Sequence, residues 1–387
     1  MSSHLSQPLQ IVLLYDNARV FDRHFKNMEA LLGPIGSALS AHGNWQHLAG
    51  YAAPDMVAMA SDTRHVILTR KDAPMALEGF ASILTNPING AFKKNEMAAI
   101  KKHKRALLIE VHTGSVPGFG QALAGTGLAN LLGDLGPQVG SETQDQHEER
   151  LLITQLLGAA MVDEVMPSAV HWGQSQQIFD GATFQKLALG GFSPLLYAGP
   201  YVYGGEEMPD GQAKAGVRAL GSQNILGKMV VFEPHVQDWA QSYQQMIAFI
   251  TYCRSLGRIL DEDECMSIGE DGPAVRPLHK NDIPQLPEGY ISLELVEGDF
   301  TAREKRHVDA SQMQAALKGK RARFAEAKLG TARETAVRKR SGTSLALPNW
   351  IIFPIVLFVV GAVVLDFVDI GSMGLAGLDL VSPITAN

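Results

Sequence analysis

The residues best suited to chemistry lie in two short stretches. "DQHEER" sets His147 beside Glu148 and Glu149, and "FEPH" sets Glu233 two residues before His235. Imidazole and carboxylate are the ligand types of a hydrolytic metal centre, where three converging ligands leave one position open for water. His147, Glu148, Glu233 and His235 are therefore the candidate metal ligands, and the chemistry they would support is metal-assisted hydrolysis. The spacing argues against it: the chain has no HExxH and no closely paired histidines, so nothing local brings two imidazoles onto one helix face. His171, in "VHWG", reads as a packed and hydrogen-bonded residue. Ser115 and Ser175 lie in no GxSxG elbow. Cys253 falls in an apolar helical segment, and Cys265 follows the acidic run "LDEDE", which disfavours a thiolate. No cofactor is expected.

A glycine-rich stretch, residues 113–146, follows a strand-like segment, with Gly114, Gly118, Gly120, Gly125, Gly127, Gly133, Gly136 and Gly140. A phosphate-cradling loop needs the dinucleotide spacing or a terminal GK[ST], and neither is present. The stretch reads as a surface insertion, with room for a short helix at 122–132.

The elements that would carry these groups alternate along the chain. Strands are expected at 10–15, 57–59, 65–69, 106–111, 169–172, 195–203, 229–232 and 290–295, and helices at 25–39, 98–103, 148–162 and 236–256. The last two helices have apolar residues at three- and four-residue spacing: Leu151, Leu152, Leu156 and Met161, then Trp239, Tyr243, Met246 and Ile250. Such stripes face a core. The fold class expected is α+β, a mixed sheet with packed helices, its strand–helix–strand order compatible with two ferredoxin-like halves at 1–190 and 191–300. A C-terminal transmembrane helix would complete the chain.

Composition supports a packed domain. Of 387 residues, 46% are hydrophobic and 19% charged, which is not the balance of a disordered chain. Two cysteines are too few for a disulfide framework and suit a reducing compartment. The N-terminus lacks a basic segment followed by a long apolar run, so no signal peptide is expected. Charge is unevenly distributed. Residues 1–302 carry 21 basic and 33 acidic groups, net −12. Residues 303–340 carry 12 basic and 4 acidic groups, net +8, and the remainder holds three aspartates and no Lys or Arg.

That remainder contains "WIIFPIVLFVVGAVVLDF", and residues 345–365 are free of charge. About 20 apolar residues cross a bilayer core. A transmembrane helix is expected over 345–369, with Trp350, Ile351, Phe353, Val356, Phe358 and Val364 facing lipid. Trp350 sits where a headgroup-level ring is favoured. Arg338, Lys339 and Arg340 lie at the membrane surface on the basic side. Basic flanks stay cytoplasmic, so the globular part is expected in the cytoplasm and residues 370–387 on the far side. Residues 301–344 read as a basic, partly helical linker able to lie on anionic lipid. Nucleic acid is not expected as a partner, because the attached domain is acidic and no aromatics interleave the basic groups.

The order of segments from His65 to Leu295 resembles a bacterial domain-of-unknown-function family, number 4261. The similarity is carried by "HVILTRKDAPM", "KKHKRALLIEV", "ERLLITQLLGAAMVDEVMPSAVHWGQSQQIF", "SPLLYAGPYVY" and "RALGSQNILGKMVVFEPH", the last with Gly221, Gly227 and Glu233. The glycine-rich insertion and the apolar C-terminal segment depart from the family's pattern. The resemblance implies a compact α+β domain and carries no catalytic residues across. The expectation is a tail-anchored, single-pass protein of a bacterial inner membrane. It has a noncatalytic cytoplasmic domain that binds another protein or regulates one, with the membrane-tethered hydrolase as the alternative.

Overall fold

The computed structural model describes residues 7–49, 53–114, 142–207, 213–236, 238–268, 272–282, 286, 288–296, 302 and 304–308. The expected transmembrane segment, the residues of the basic linker after 308 and the proposed helix at 122–132 lie outside these residues. Among the described residues, no helix is long and apolar enough to cross a membrane.

The described residues form an α+β fold with two seven-stranded sheets. In the first, β1 is Leu9–Tyr15, β2 Gln46–His47, β3 Met56–Ala60, β4 Arg64–Lys71, β5 Arg105–Thr113, β6 Ala169–Trp172 and β7 Gln177–Phe179. Their order is β2-β3-β4-β5-β1-β6-β7, and every neighbouring pair is antiparallel. The run "IVLLY" reads as apolar throughout because β1 is central and buried on both faces. Ile11, Leu13 and Tyr15 point into one hydrophobic cluster, and Val12 and Leu14 into a second, as the two-residue period of a strand requires.

Helices cover the two faces. On one side lie α1 (Ala18–His24), a 3₁₀ turn at Met28–Leu31, α2 (Leu32–Leu39) and the long α6 (Gln144–Glu164). On the other lie a 3₁₀ turn at Leu77–Phe80, α3 (Ala81–Leu84), α4 (Pro87–Phe92) and α5 (Lys94–Lys102); Phe80 of the turn, Ile83 of α3 and Ile100 of α5 seal the second cluster. Side-chain caps set the starts: Asn17 for α1, Asn86 ahead of Pro87 for α4, and a capping box of Thr143 with Gln146 for α6. The helix expected at 25–39 is broken into the 3₁₀ turn and α2. Phe25 caps the end of α1, and Asn27 caps the 3₁₀ turn.

After α7 (Gly181–Leu189) and the helical turn α8 (Pro194–Tyr197), the chain builds the second sheet. The strand expected at 195–203 therefore begins later, as β8 at Gly199–Glu207; Ser193 and Pro194 instead open a helical turn. β9 (Ala213–Leu220), α9 (Gln223–Leu226), β10 (Met229–His235), α10 (Trp239–Leu256), β11 (Glu264–Ile268), β12 (Ala274–Lys280), β13 (Tyr290–Leu295) and β14 (Glu304–Val308) follow. The order is β14-β11-β12-β13-β10-β9-β8, with β10–β13 and β11–β14 parallel. Residues 304–308, expected to be linker, are thus the edge strand of a sheet. One hydrophobic cluster runs from Leu13 and Leu157 through Trp172 and Tyr197 to Phe232, Phe249 and Ile291, so the two sheets share a core.

In the first sheet, β6-β1-β5-β4 are the fourth, first, third and second strands of a unit in which helices bridge parallel pairs. The second sheet does not repeat this order: α10 crosses from β10 to β11, and β12 and β13 return to β10 as a meander.

Candidate functional site

The first candidate stretch opens α6. The Thr143–Gln146 capping box satisfies exposed N–H groups of the first turn: Thr143 Oγ1 accepts from Gln146 N at 3.3 Å and Gln146 Oε1 from Thr143 N at 2.9 Å. Successive residues of a helix then point about 100° apart. His147, Glu148 and Glu149 consequently face three different elements. His147 is fully buried and reaches α9, with Nε2 3.2 Å from Asn224 Oδ1. Glu148 reaches α10, where Arg254 lies 2.7 Å away. Glu149 reaches β4 and accepts from Arg64 at 2.7 Å.

Around His147 is a buried polar seam that the sequence reading missed. Arg150, one turn further on the same helix face, is also fully buried. Its guanidinium lies 2.7 Å from Glu142 Oε2 and donates to the carbonyl of Gln7 at 2.6 Å. Burial pulls its pKa below the ordinary arginine value, against the raising effect of Glu142. Glu142 Oε2 is also 3.1 Å from His147 Nδ1. On the far side, Asn224 Nδ2 donates to the carbonyl of Gln174 at 3.1 Å. That bond leaves Asn224 Oδ1 to accept from His147 Nε2, while Nδ1 lies between Glu142 Oε2 and Arg150 Nη2, the latter 3.2 Å away. Gln144 donates to the carbonyls of Asn224 and Ile225 at 2.9 and 3.1 Å. The seam thus ties α6 to α9, one sheet's helix to the other's. The available signal was the spacing of His147, Arg150 and Thr154, which the helix buries on one face.

The second candidate stretch ends β10. The ladder with β9 shifts register between Phe232 and His235, around Pro234, which has no N–H to donate. Glu233 is taken up by Tyr290 Oη at 3.2 Å, Tyr203 Oη at 3.4 Å and Lys280 Nζ at 3.7 Å. His235 Nδ1 donates to the carbonyl of Glu233 at 2.7 Å, which leaves Nε2 as acceptor for Ser242 Oγ at 3.1 Å. A hydroxyl, an imidazole and an orienting acceptor are the parts of an activated nucleophile. Ser242, however, is fully buried in the first turns of α10, and its hydroxyl also lies 3.1 Å from the carbonyl of Asp238. This is a helix-start arrangement, with the hydroxyl buried.

The two stretches do not converge. Glu148 is held at Arg254 and His235 at Ser242, opposite ends of α10. Twelve residues of helix separate those anchors, about 18 Å at 1.5 Å per residue. Among the described residues, no group of three or more His, Cys, Asp or Glu side chains is placed to hold a metal ion. The candidate ligands His147, Glu148, Glu233 and His235 are brought together only as the two sequence neighbours each stretch already contained.

Other buried titratable groups serve packing. His171 lies under Phe80 at 5.3 Å between ring centroids, and burial lowers its pKa to about 4. His65 stacks on its cross-strand neighbour His112 at 4.4 Å; burial brings His65 to about 4 as well. Cys253 is buried, and burial pushes its thiol up to about 12, in keeping with an inert residue. Glu264, fully buried at the start of β11, is gripped by Arg258 at 2.6 and 2.7 Å, the amide of Asp261 at 2.8 Å and Arg306 of β14 at 3.3 Å. The Arg258 hydrogen bonds lead in holding its carboxyl down to about 2.

Compared with protein-family models, curated proteins and solved structures, the chain matches none.

Proposed function

We propose that the chain is a membrane-anchored protein whose α+β domain faces the cytoplasm and acts by binding another protein, without catalysis of its own. The observation that carries this reading is the sequence of charge and hydropathy at the C-terminal side: 12 Lys and Arg over residues 303–340, then an uncharged apolar run over 345–365. Such a run has the length to cross a bilayer, and the basic flank sets its direction. The domain supplies the second support. The polar groups that chemistry would need are consumed in bonds between elements, as with His147 to Asn224, Glu148 to Arg254 and Glu233 to Tyr290. Tethering raises the effective concentration of such a domain beside membrane partners. The strand order of the first sheet favours a ferredoxin-like reading for that half alone, and membership of the resembled family is part of the same proposal.

Topology is the test. A single cysteine placed at Ser382 should react with a membrane-impermeant thiol reagent in intact cells or spheroplasts, and one at Ser3 only after lysis. The opposite pattern overturns the cytoplasmic assignment. Release of the chain by alkaline carbonate overturns the anchor. Crosslinking in native membranes then addresses the binding role, and consistent recovery of the domain uncrosslinked counts against it.

A further inference from the structure

One end of the first sheet is strongly basic, within a part of the chain whose net charge is −12. The chain brings together there the end of β1 with α1, the end of β4, and the end of α5 running into β5. Register fixes the neighbours: Tyr15 pairs with Arg105 and Arg70 with Leu107, and Lys104 N donates to the carbonyl of Tyr15 at 2.8 Å. Arg70 also donates to the carbonyl of Phe25 at 2.9 Å, which draws the end of α1 and Lys26 into the group. Asp22 bridges Arg70 and Arg105 at 3.1 and 3.0 Å, and Asp72 lies 2.7 Å from Arg70. Those two acids are therefore neutralised locally. Arg19, Arg23, Lys26, Lys71, Lys101, Lys102 and Lys104 remain exposed, against exposed Asp16, Asp55 and Glu29, which lies three residues beyond Lys26. Asp163 and Glu164, exposed at the end of α6, bound the patch on its β6 side. An open cleft of about 500 Å³, lined by Asp16, Asn17, Ala18, Arg19 and Lys104, lies within it.

We propose that this basic end is a docking surface for an anionic lipid bilayer, so that the domain rests on the membrane in one orientation. The inference rests on the anchored reading above. Each Lys or Arg held near an anionic leaflet strengthens association by roughly fivefold, and the attraction fades within a Debye length. Seven such groups on one surface act together. The chain can present this end: residues 309–344, 36 in number, span about 54 Å even if wholly helical. A domain of this size is roughly 50 Å across. Lipid fits better than single-stranded nucleic acid, which would stack its bases on exposed aromatics, whereas Tyr15, Phe21 and Phe25 beside the patch are buried.

The test uses the full chain reconstituted in neutral vesicles and in vesicles containing about a third anionic phospholipid, with amine-reactive footprinting read lysine by lysine. Lys26, Lys71, Lys101, Lys102 and Lys104 should label at least about threefold less on anionic vesicles and recover in roughly 0.5 M salt, while Lys186 and Lys228 stay unchanged. The K101E/K102E/K104E variant should lose the protection of Lys26 and Lys71. Equal labelling on both vesicle types, protection that survives salt, or protection by added RNA alone overturns the proposal. Carbonate extraction of the same samples reads the anchor separately, so failure of docking and failure of anchoring are distinguishable.

Discussion

Replacing Arg150 by Met tests whether the buried seam between α6 and α9 holds the domain together. Met keeps much of the aliphatic stem and removes the guanidinium. The loss includes the 2.7 Å bond to Glu142 and the 2.6 Å bond to the Gln7 carbonyl. The Glu142 side chain is 4% exposed, so its carboxylate cannot turn to water. Removing one partner of a buried ion pair costs about 3–5 kcal/mol, chiefly through the charge left behind. Glu142→Gln removes that charge. The double variant R150M/E142Q should therefore be about 2 kcal/mol more stable than R150M alone, a coupling that a double-mutant cycle isolates. Urea unfolding of the full chain in mild detergent, followed by tryptophan fluorescence, reads this well because Trp172 is fully buried. An R150M loss below about 1 kcal/mol, or a double variant no more stable than R150M, would refute the reasoning.

Three more outcomes follow from the same physics. His65 and His171 are lowered to about 4 in the fold and titrate near 6.5 when unfolded, so the unfolded chain binds more protons between those values. Stability should fall as pH drops from about 6.5 towards 4, by up to about 3 kcal/mol per group, and His171→Phe should flatten that limb of a urea-midpoint series. Glu264→Gln strips the charge that Arg258 and Arg306 share; a loss of about 2–4 kcal/mol is expected, with faster amide hydrogen exchange over Glu304–Val308. Gly221 has φ +91°, and a Cβ there would lie 2.7 Å from the Gln174 carbonyl. Gly221→Ala should cost several times the roughly 1 kcal/mol expected for Gly227→Ala, where φ is +72° and nothing lies within 4 Å; similar thermal shifts for both would contradict this.

What could be read in advance follows from how each element is stabilised. β6 and β13 fall where their β-branched and aromatic runs predict, at Ala169–Trp172 and Tyr290–Leu295. α6 and α10 follow their apolar stripes, α10 starting at Trp239 because Asp238 caps it. β9, "AKAGVRAL", was missed because Ala and Gly carry little strand propensity; its pairing with β8 and β10 supplies the order instead. β12 contains Pro277, which argues against a central strand. Its ladder with β11 covers only Val275 and Ala274, so Pro277 lies beyond it. β11 was hidden behind "LDEDE", since a buried Glu264 makes sense only once Arg258 and Arg306 are beside it. The candidate site shows the same limit. The helix was expected from Glu148, with His147 just outside it, whereas α6 begins at Gln144; their partners Asn224 and Arg254 are 77 and 106 residues away, and no local pattern announces them.

The parallel pairing of β14 with β11 gives the domain a mechanical load path. A pull on the chain beyond Val308, directed along the strand, loads the ladder from Glu264–Glu304 to Ile268–Val308 in shear. Its bonds then resist together, reinforced by the Arg306–Glu264 contact. A sideways pull peels the same strand off from the Val308 end, one bond after another. The direction from which tension arrives, more than its size, decides whether the edge of the second sheet stays closed.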